Sequence, residues 1–416
     1  MLFRPMRLVL ALAAIAGSVL LSGCYNFGEG ESADPPAGGL TAVEGDGYVT
    51  LTWQPDSGVE YWLFWGPGTN VDVAHPSFIK TNVSSPLTVA GLLDGTPYAF
   101  TINGRKNGGP GGSPTPVVTA TPRPTGYVWQ IGGAAGTADL KGVAYGTSYD
   151  AVGNAGALFQ SADGITWAAA AGNWAALAGA TNVSAIIYTG TQYIAVGEGG
   201  LILFSTDNTN WTAGTYAALP LPTPKLNAVA SNGARVVAVG DGGAIYYSDD
   251  NAVTWNAAAT VPGGTGNLYG VVSSSVGQWV AVGAAGTLIT SSDGSNWTAV
   301  TSVTPAIATD LRDVAVLSST SIFTAVGAGG EVATSSDGLV WTTEVITPSD
   351  LLAVAGSVTG TGLFVAVGKG GVAFTSFDGI TWTSRTTGTP ADLFAVVNGG
   401  GQFVAVGQAG TTAYSR

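Results

Sequence analysis

From residue 38 onward the apolar residues of this chain fall in short runs, broken by Gly, Pro, Asp and Asn. That pattern predicts many short strands joined by tight turns. Between residues 38 and 122 the stretches 41–43, 49–53, 61–65, 87–89, 98–103 and 117–121 show strand-like alternation. A segment of this size with this many strands fits an immunoglobulin-like sandwich. From residue 127 the pattern repeats.

One unit reads L-x-x-V, then an apolar run ending Ala-Val-Gly, then S-x-D-G-x-x-W. The Ala-Val-Gly element ends at Gly153, Gly197, Gly240, Gly283, Gly327, Gly368 and Gly407. A period of about 40 residues is the span of one four-stranded propeller blade. Seven Ala-Val-Gly elements are followed by only six Trp-ended hairpins, closing at Trp167, Trp211, Trp255, Trp297, Trp341 and Trp382. The missing outer strand is at the front, where Trp129 in 127–130 occupies the motif position. The fold class expected is therefore all-β: a small sandwich, then a seven-bladed propeller over 127–416 whose last blade is closed by its first strand. In the third unit the strands are placed at 226–229, 235–240, 244–248 and from Thr254 outward. Residues 123–126 (RPTG) read as a short stiff linker.

Composition agrees with the strand reading. Of 416 residues, 9% are charged, 46% are hydrophobic and 63 are Gly. That is enough apolar material for a large core, so disorder is not expected. The formal net charge of −13 argues against nucleic acid or an anionic bilayer as the main partner, since both need a basic patch. The chain holds one Cys, Cys24, and one His, His75. No internal disulfide can form, and a Cys/His zinc site lacks its ligands. Neither residue type occurs in 127–416, which removes Cys–His and Ser–His catalytic pairs from the propeller. No cofactor is expected.

The first 24 residues read as an address. Arg4 and Arg7 precede an apolar stretch, 8–21, too short for a transmembrane span. It ends in Leu21-Ser22-Gly23-Cys24, which resembles the lipobox of bacterial lipoproteins. The resemblance implies a diacylglycerol on the Cys24 thiol, a mature chain that begins there, and a firm membrane anchor. Tyr25 after the Cys implies the outer membrane, on its periplasmic or surface side. Residues 24–37 then read as an acidic Gly/Pro-rich tether.

Residues 38–122 resemble a fibronectin type III domain. Val49-Thr50-Leu51-Thr52-Trp53 matches its second strand with the core Trp. Leu92-Leu93-Asp94-Gly95-Thr96-Pro97-Tyr98 matches its "L-x-x-G-T-x-Y" corner. The adhesive Arg-Gly-Asp is absent, so a spacer or docking role is expected.

The Trp-ended hairpins resemble the Asp-box of the bacterial neuraminidase repeat. The copies are Ser161-Asp163-Trp167, Ser205-Asp207-Trp211, Ser248-Asp250-Trp255, Ser291-Asp293-Trp297, Ser335-Asp337-Trp341 and Ser376-Asp378-Trp382. Each carboxylate should accept N–H bonds of its own hairpin, and each Trp should pack on the next blade. Placed one per blade, the carboxylates cannot converge on one metal ion.

Function should sit where the repeat does not dictate the side chain. One variable set follows Ala-Val-Gly: Asn154, Glu198, Asp241, Ala284, Ala328, Lys369 and Gln408. A second follows the residue that opens each inner strand: Lys141, Ser184, Asn227, Tyr269, Arg312, Leu352 and Phe394. Both should converge near one mouth of the ring. Glu198, Asp241, Tyr269, Arg312 and Lys369 are the candidate binding residues, for an unknown protein or glycan.

Asp-boxes on seven blades also resemble the photosystem II assembly/stability factor family, which implies periplasmic protein–protein binding by a monomeric propeller. That family uses a basic patch. Here the propeller has Arg235, Arg312, Arg385 and Arg416 with Lys141, Lys225 and Lys369, so the photosynthetic role is not carried over. A sialidase-like hydrolase is the alternative. Its Arg-Ile-Pro motif is absent, its fold has six blades, and Arg235 falls in a turn away from the mouth. Glu198 and Asp241 are the one carboxylate pair a different hydrolase could use. A purely structural display protein is the third reading.

Overall fold

The computed structural model describes residues 30–45, 47–123, 125–217, 223–317, 320–357 and 362–415. Cys24, the leader and the start of the tether lie outside the described residues, as does Arg416. By contacts the chain divides into two units. One takes the residues up to Val43 with Thr50–Thr88 and Pro97–Ala120; the other takes Glu44–Val49, Val89–Thr96 and everything from Thr121.

The described residues between 30 and 120 are all-β. One sheet runs Glu31–Ala33, Tyr98–Lys106, Glu60–Pro67, Phe78–Val83, with Val118–Ala120 also on Tyr98–Lys106. A second pairs Thr41–Gly45, Tyr48–Thr52 and Leu87–Ala90. Leu51, Leu63, Phe100 and Ile102 are fully buried, and the Trp53 ring stands edge-on to Tyr61 at 5.8 Å. Two features depart from expectation. Glu31–Ala33, read as tether, is a strand paired with Gly104–Lys106 residues. Phe78–Val83 is a strand that five exposed side chains out of six had hidden, since an edge strand without a buried face carries little alternation.

The second unit contains seven sheets, each with four antiparallel strands, and the third and fifth add a short parallel strand, Thr215–Tyr216 and Ser302–Thr304, at the outer edge. The inner strands are Leu140–Tyr145, Val183–Tyr188, Leu226–Ser231, Leu268–Ser273, Leu311–Leu317, Leu351–Gly356 and Leu393–Gly399, opening blades 1 to 7. Each packs on the next, and Leu393–Gly399 packs on Leu140–Tyr145, so the ring is closed. The seventh sheet takes its fourth strand, Trp129–Ile131, from the start of the unit. The second strands, such as Val236–Gly240, are buried at every residue, except that Ile322 opens the fifth half-buried. They are flanked on both sides within their sheet and covered on both faces by neighbouring blades, which is why they read as continuous apolar runs.

The core is correspondingly seven clusters, one between each pair of blades. Trp255 of blade 3 packs with Ile194, Val196 and Ile202 of blade 2. Trp297 packs on blade 3 and Trp341 on blade 4 in the same way. Each motif Trp thus covers the preceding blade rather than the following one. Alternation along a strand fixes that two faces exist, but which blade each face meets is decided by ring assembly.

The closure also redraws a boundary. Gly126 N–H donates to Ser415 Oγ at 2.9 Å and Trp129 Nε1–H to Gly126 C=O at 2.8 Å. The fourth blade makes the same pair of bonds through Gly294, Ser291 and Trp297. Ser415 and Gly126-Tyr127-Val128-Trp129 are therefore the two halves of a seventh box, split between the ends of the unit. Thr125 and Gly126 belong to the propeller and not to a linker.

Candidate functional site

Every inner strand carries the same irregularity. Leu140 pairs with Gly153 and Gly142 with Val152, leaving Lys141 without a partner; blades 2 to 7 repeat this shift. A bulge frees one residue from the ladder and re-aims its side chain. Here the freed residues are Lys141, Ser184, Asn227, Tyr269, Arg312, Leu352 and Phe394. All seven line one funnel at the mouth of the ring, in a cavity of about 220 Å³. The second variable set therefore converges as expected, because the bulge relieves it of any pairing duty.

The first variable set divides. Asn154 and Glu198 line the funnel. Asp241 lies beyond it, with Oδ1 accepting from Asn227 Nδ2 at 2.8 Å. Lys369 points its ammonium at Asp350, 2.6 Å away. Glu198 Oε1 accepts from Asn182 Nδ2 at 3.1 Å. Each carboxylate is thus held by its own amide donor.

Two cations at the mouth lie over rings. The Lys141 ammonium is 3.4 Å from the Phe394 centroid and 3.1 Å from Asp139. The Arg312 guanidinium is 4.9 Å from the Tyr269 centroid and 3.1 Å from Asp310. Such pairs are favourable at partly exposed sites and present aromatic and cationic surface together.

A set of side-chain staples holds the mouth, and these were not anticipated. The residue before each inner strand is Asp139, Asn182, Lys225, Asn267, Asp310, Asp350 or Asp392. Six of them accept, through a side-chain oxygen, an N–H from the turn of the preceding blade. The donors are Ala409, Ala155, Gly242, Ala285, Gly329 and Gly370, at 2.8–3.0 Å. These N–H bonds, ahead of the neighbouring lysines, hold the Asp139 and Asp350 carboxyls below the usual carboxylate range. A recurrent Asp or Asn one residue before the opening Leu or Val in six of the seven blades was the available signal.

Deeper in the funnel the repeat has a Gly or Ala one residue after each bulge: Gly142, Ala185, Ala228, Gly270, Ala353 and Ala395. Blade 5 has Asp313 instead. Its Oδ1 accepts from Val314 N–H at 2.8 Å and its Oδ2 from Val354 N–H of blade 6 at 2.9 Å. It lines the channel wall, half-buried. Burial raises its pKa to about 7 against the pull of the two N–H donors.

The opposite face carries the Asp-boxes, and each is closed on itself. Asp163 Oδ1 accepts from Thr166 and Ile165 N–H at 2.8 Å, which depresses its pKa. Asp207, Asp293 and Asp337 repeat the pattern. Ser161, Ser205, Ser248, Ser291, Ser335 and Ser376 each donate to the Asp two residues on, at 2.8–3.1 Å. No group of three or more metal-binding side chains occurs among the described residues. Arg235 is fixed on this face, with two bonds to Asp249 and one to Asp293 C=O of the next blade.

Residues 161–306 match the family model described as the DUF6242 β-propeller domain. No curated protein matches the chain. Among solved structures, YCF48 from Cyanidioschyzon merolae is similar at 18% identity and a TM-score of 0.53, over 69% of this chain and 98% of that one. A structure described as YCF48 bound to D1 peptide is similar at 19% identity and a TM-score of 0.54, over 69% and 96%. The WD40 propeller domain of Doa1 follows at 11% identity and a TM-score of 0.54, over 70% and 97%. At these identities the likeness establishes the fold: residues from about 126 onward form a β-propeller.

Proposed function

We propose that this chain is a lipid-anchored protein of the bacterial cell envelope that captures a peptide segment of a protein partner at the funnel mouth, without catalysis. The observation that carries the reading is the bulge ring: seven side chains, one per blade, freed from the repeat and gathered around one cavity. Its rim offers rings, cations and amides together, which suits side chains of mixed chemistry better than one small metabolite. The similar structure described as holding a D1 peptide supports a peptide as the kind of ligand this architecture accepts. The first unit, with sheet orders compatible with a fibronectin type III-like domain, acts as the spacer between the anchor at Cys24 and the propeller.

The test is capture of partners from solubilised envelope by the full chain. Replacing Tyr269 and Phe394 together by Ala should lower recovery at least about tenfold, the usual effect of losing two aromatic anchors. Glu344→Gln, away from the mouth, should leave it unchanged. Equal recovery by the mouth variant would overturn the reading. Turnover of a glycoside that disappears in Glu198→Gln would overturn the non-catalytic part.

A further inference from the structure

Six of the seven blade junctions at the mouth are closed by a side-chain staple, and the seventh has none among the described residues. Between blades 2 and 3 the staple position is Lys225, which has no acceptor to offer. The N–H of Gly199, equivalent to the six stapled donors, has no acceptor among the described residues. Lys225 is itself without a partner among them. The other mouth cations, Lys141, Arg312 and Lys369, each have a carboxylate within 3.1 Å. Lys225 and Glu198, the residue before Gly199, both border the funnel.

We propose that this junction is a carboxylate subsite, in which an Asp or Glu side chain of the bound peptide completes the missing staple. This deepens the binding reading above and rests on the same mouth. Elsewhere in the ring a carboxylate or amide oxygen sits 2.8–3.0 Å from the equivalent N–H, so the position an incoming oxygen would take is defined by six copies. At this junction an ammonium replaces the built-in carboxylate or amide, and an external carboxylate would gain a charge-assisted bond together with a backbone donor. Glu198 does not claim the ammonium, because its carboxylate is turned to Asn182 Nδ2. The chain's net charge of −13 opposes diffuse binding of acidic peptides, so saturable binding of one reports a local site.

The probe is a fluorescein-labelled hexaglutamate peptide, with hexaglutamine as its neutral counterpart, titrated against the full-length protein by anisotropy. Saturable binding of the acidic peptide alone is expected. Lys225→Asn removes the charge and supplies the missing oxygen to Gly199. It should weaken binding at least about tenfold, as loss of a charge-assisted hydrogen bond does, while Lys225→Arg keeps it. The thermal midpoint of Lys225→Asn should be no lower than that of the natural chain, which separates lost binding from lost folding. Equal affinity in Lys225→Asn, or no binding of hexaglutamate, overturns the subsite. If Lys225→Asn still captures the envelope partner while the Tyr269 and Phe394 variant does not, the mouth reading stands and the carboxylate subsite alone falls.

Discussion

Single positions show where this ring departs from its own repeat. Asp150 occupies a second-strand position that is Ile, Val or Thr in the other blades and is fully buried. It accepts from Asn208 Nδ2 at 2.6 Å. Asn208 stands at the Asp-box position held by Gly in blades 1, 4, 5 and 6, and it takes the same left-handed conformation, φ 59°. In blade 4 the equivalent glycine, Gly294, lies so close to Val237 that an added Cβ would meet it at 3.0 Å. A polar pair has replaced an apolar one across a blade interface. Asp313 is a departure of another kind, a carboxyl on the channel wall held by two backbone N–H groups. With its pKa raised to about 7, the folded chain keeps a proton that the unfolded chain releases near pH 4. Stability should therefore fall as pH rises from about 4 to about 7 and level off above. Asp313→Ala, the residue of blades 2, 3, 6 and 7 at this position, should remove that slope and raise the thermal midpoint near pH 8. Parallel stability curves for variant and natural chain across that range would refute the assignment.

At the scale of elements, two small devices are repeated around the ring. The bulge after each opening Leu or Val aims one side chain at the funnel. The Asp-box closes each outer hairpin and drives a Trp onto the preceding blade. The closing strand Trp129–Ile131 matters most, because it reaches its blade from the opposite end of the unit and not through a hairpin. Trp129 is 7% exposed and packs against Val365, Val367 and Phe403. Trp129→Ala should destabilise by ~3–5 kcal/mol, the range for a buried Trp. Hydrogen exchange should speed up in Thr412–Ser415 and Gln402–Gly407 well before blades 2 to 4 respond. Uniform loss of protection around the ring would show that the strand is not a local clasp.

For the whole molecule, the ring resists opening because every blade contacts two others and no sheet interface is left unpaired. Where it operates depends on residues outside the described part. If Cys24 carries the lipid, Cys24→Ser should move the protein from the membrane fraction to the soluble one, since a diacylglycerol is the anchor invoked. Unchanged fractionation would refute the anchor and leave the mouth chemistry untouched.

The blade count, the strands of the third unit and the displaced outer strand were legible in the sequence. They depend on contiguous residues: an apolar run makes a buried strand and S-x-D-G-x-x-W closes its own hairpin, whatever lies beyond. The strand Phe78–Val83 was not legible, because its exposed side chains leave no alternation to read. Nor were the staples. Asp310 reads as a turn residue until ring assembly brings Ala285 of the preceding blade to its carboxylate. Tertiary structure alone decided that each Trp faces backward, that the funnel holds Glu198 but not Asp241, and which turn N–H each Asp or Asn before an inner strand accepts. Those facts join residues from different blades, and only closure of the ring, which sums seven small rotations, puts them within bonding distance.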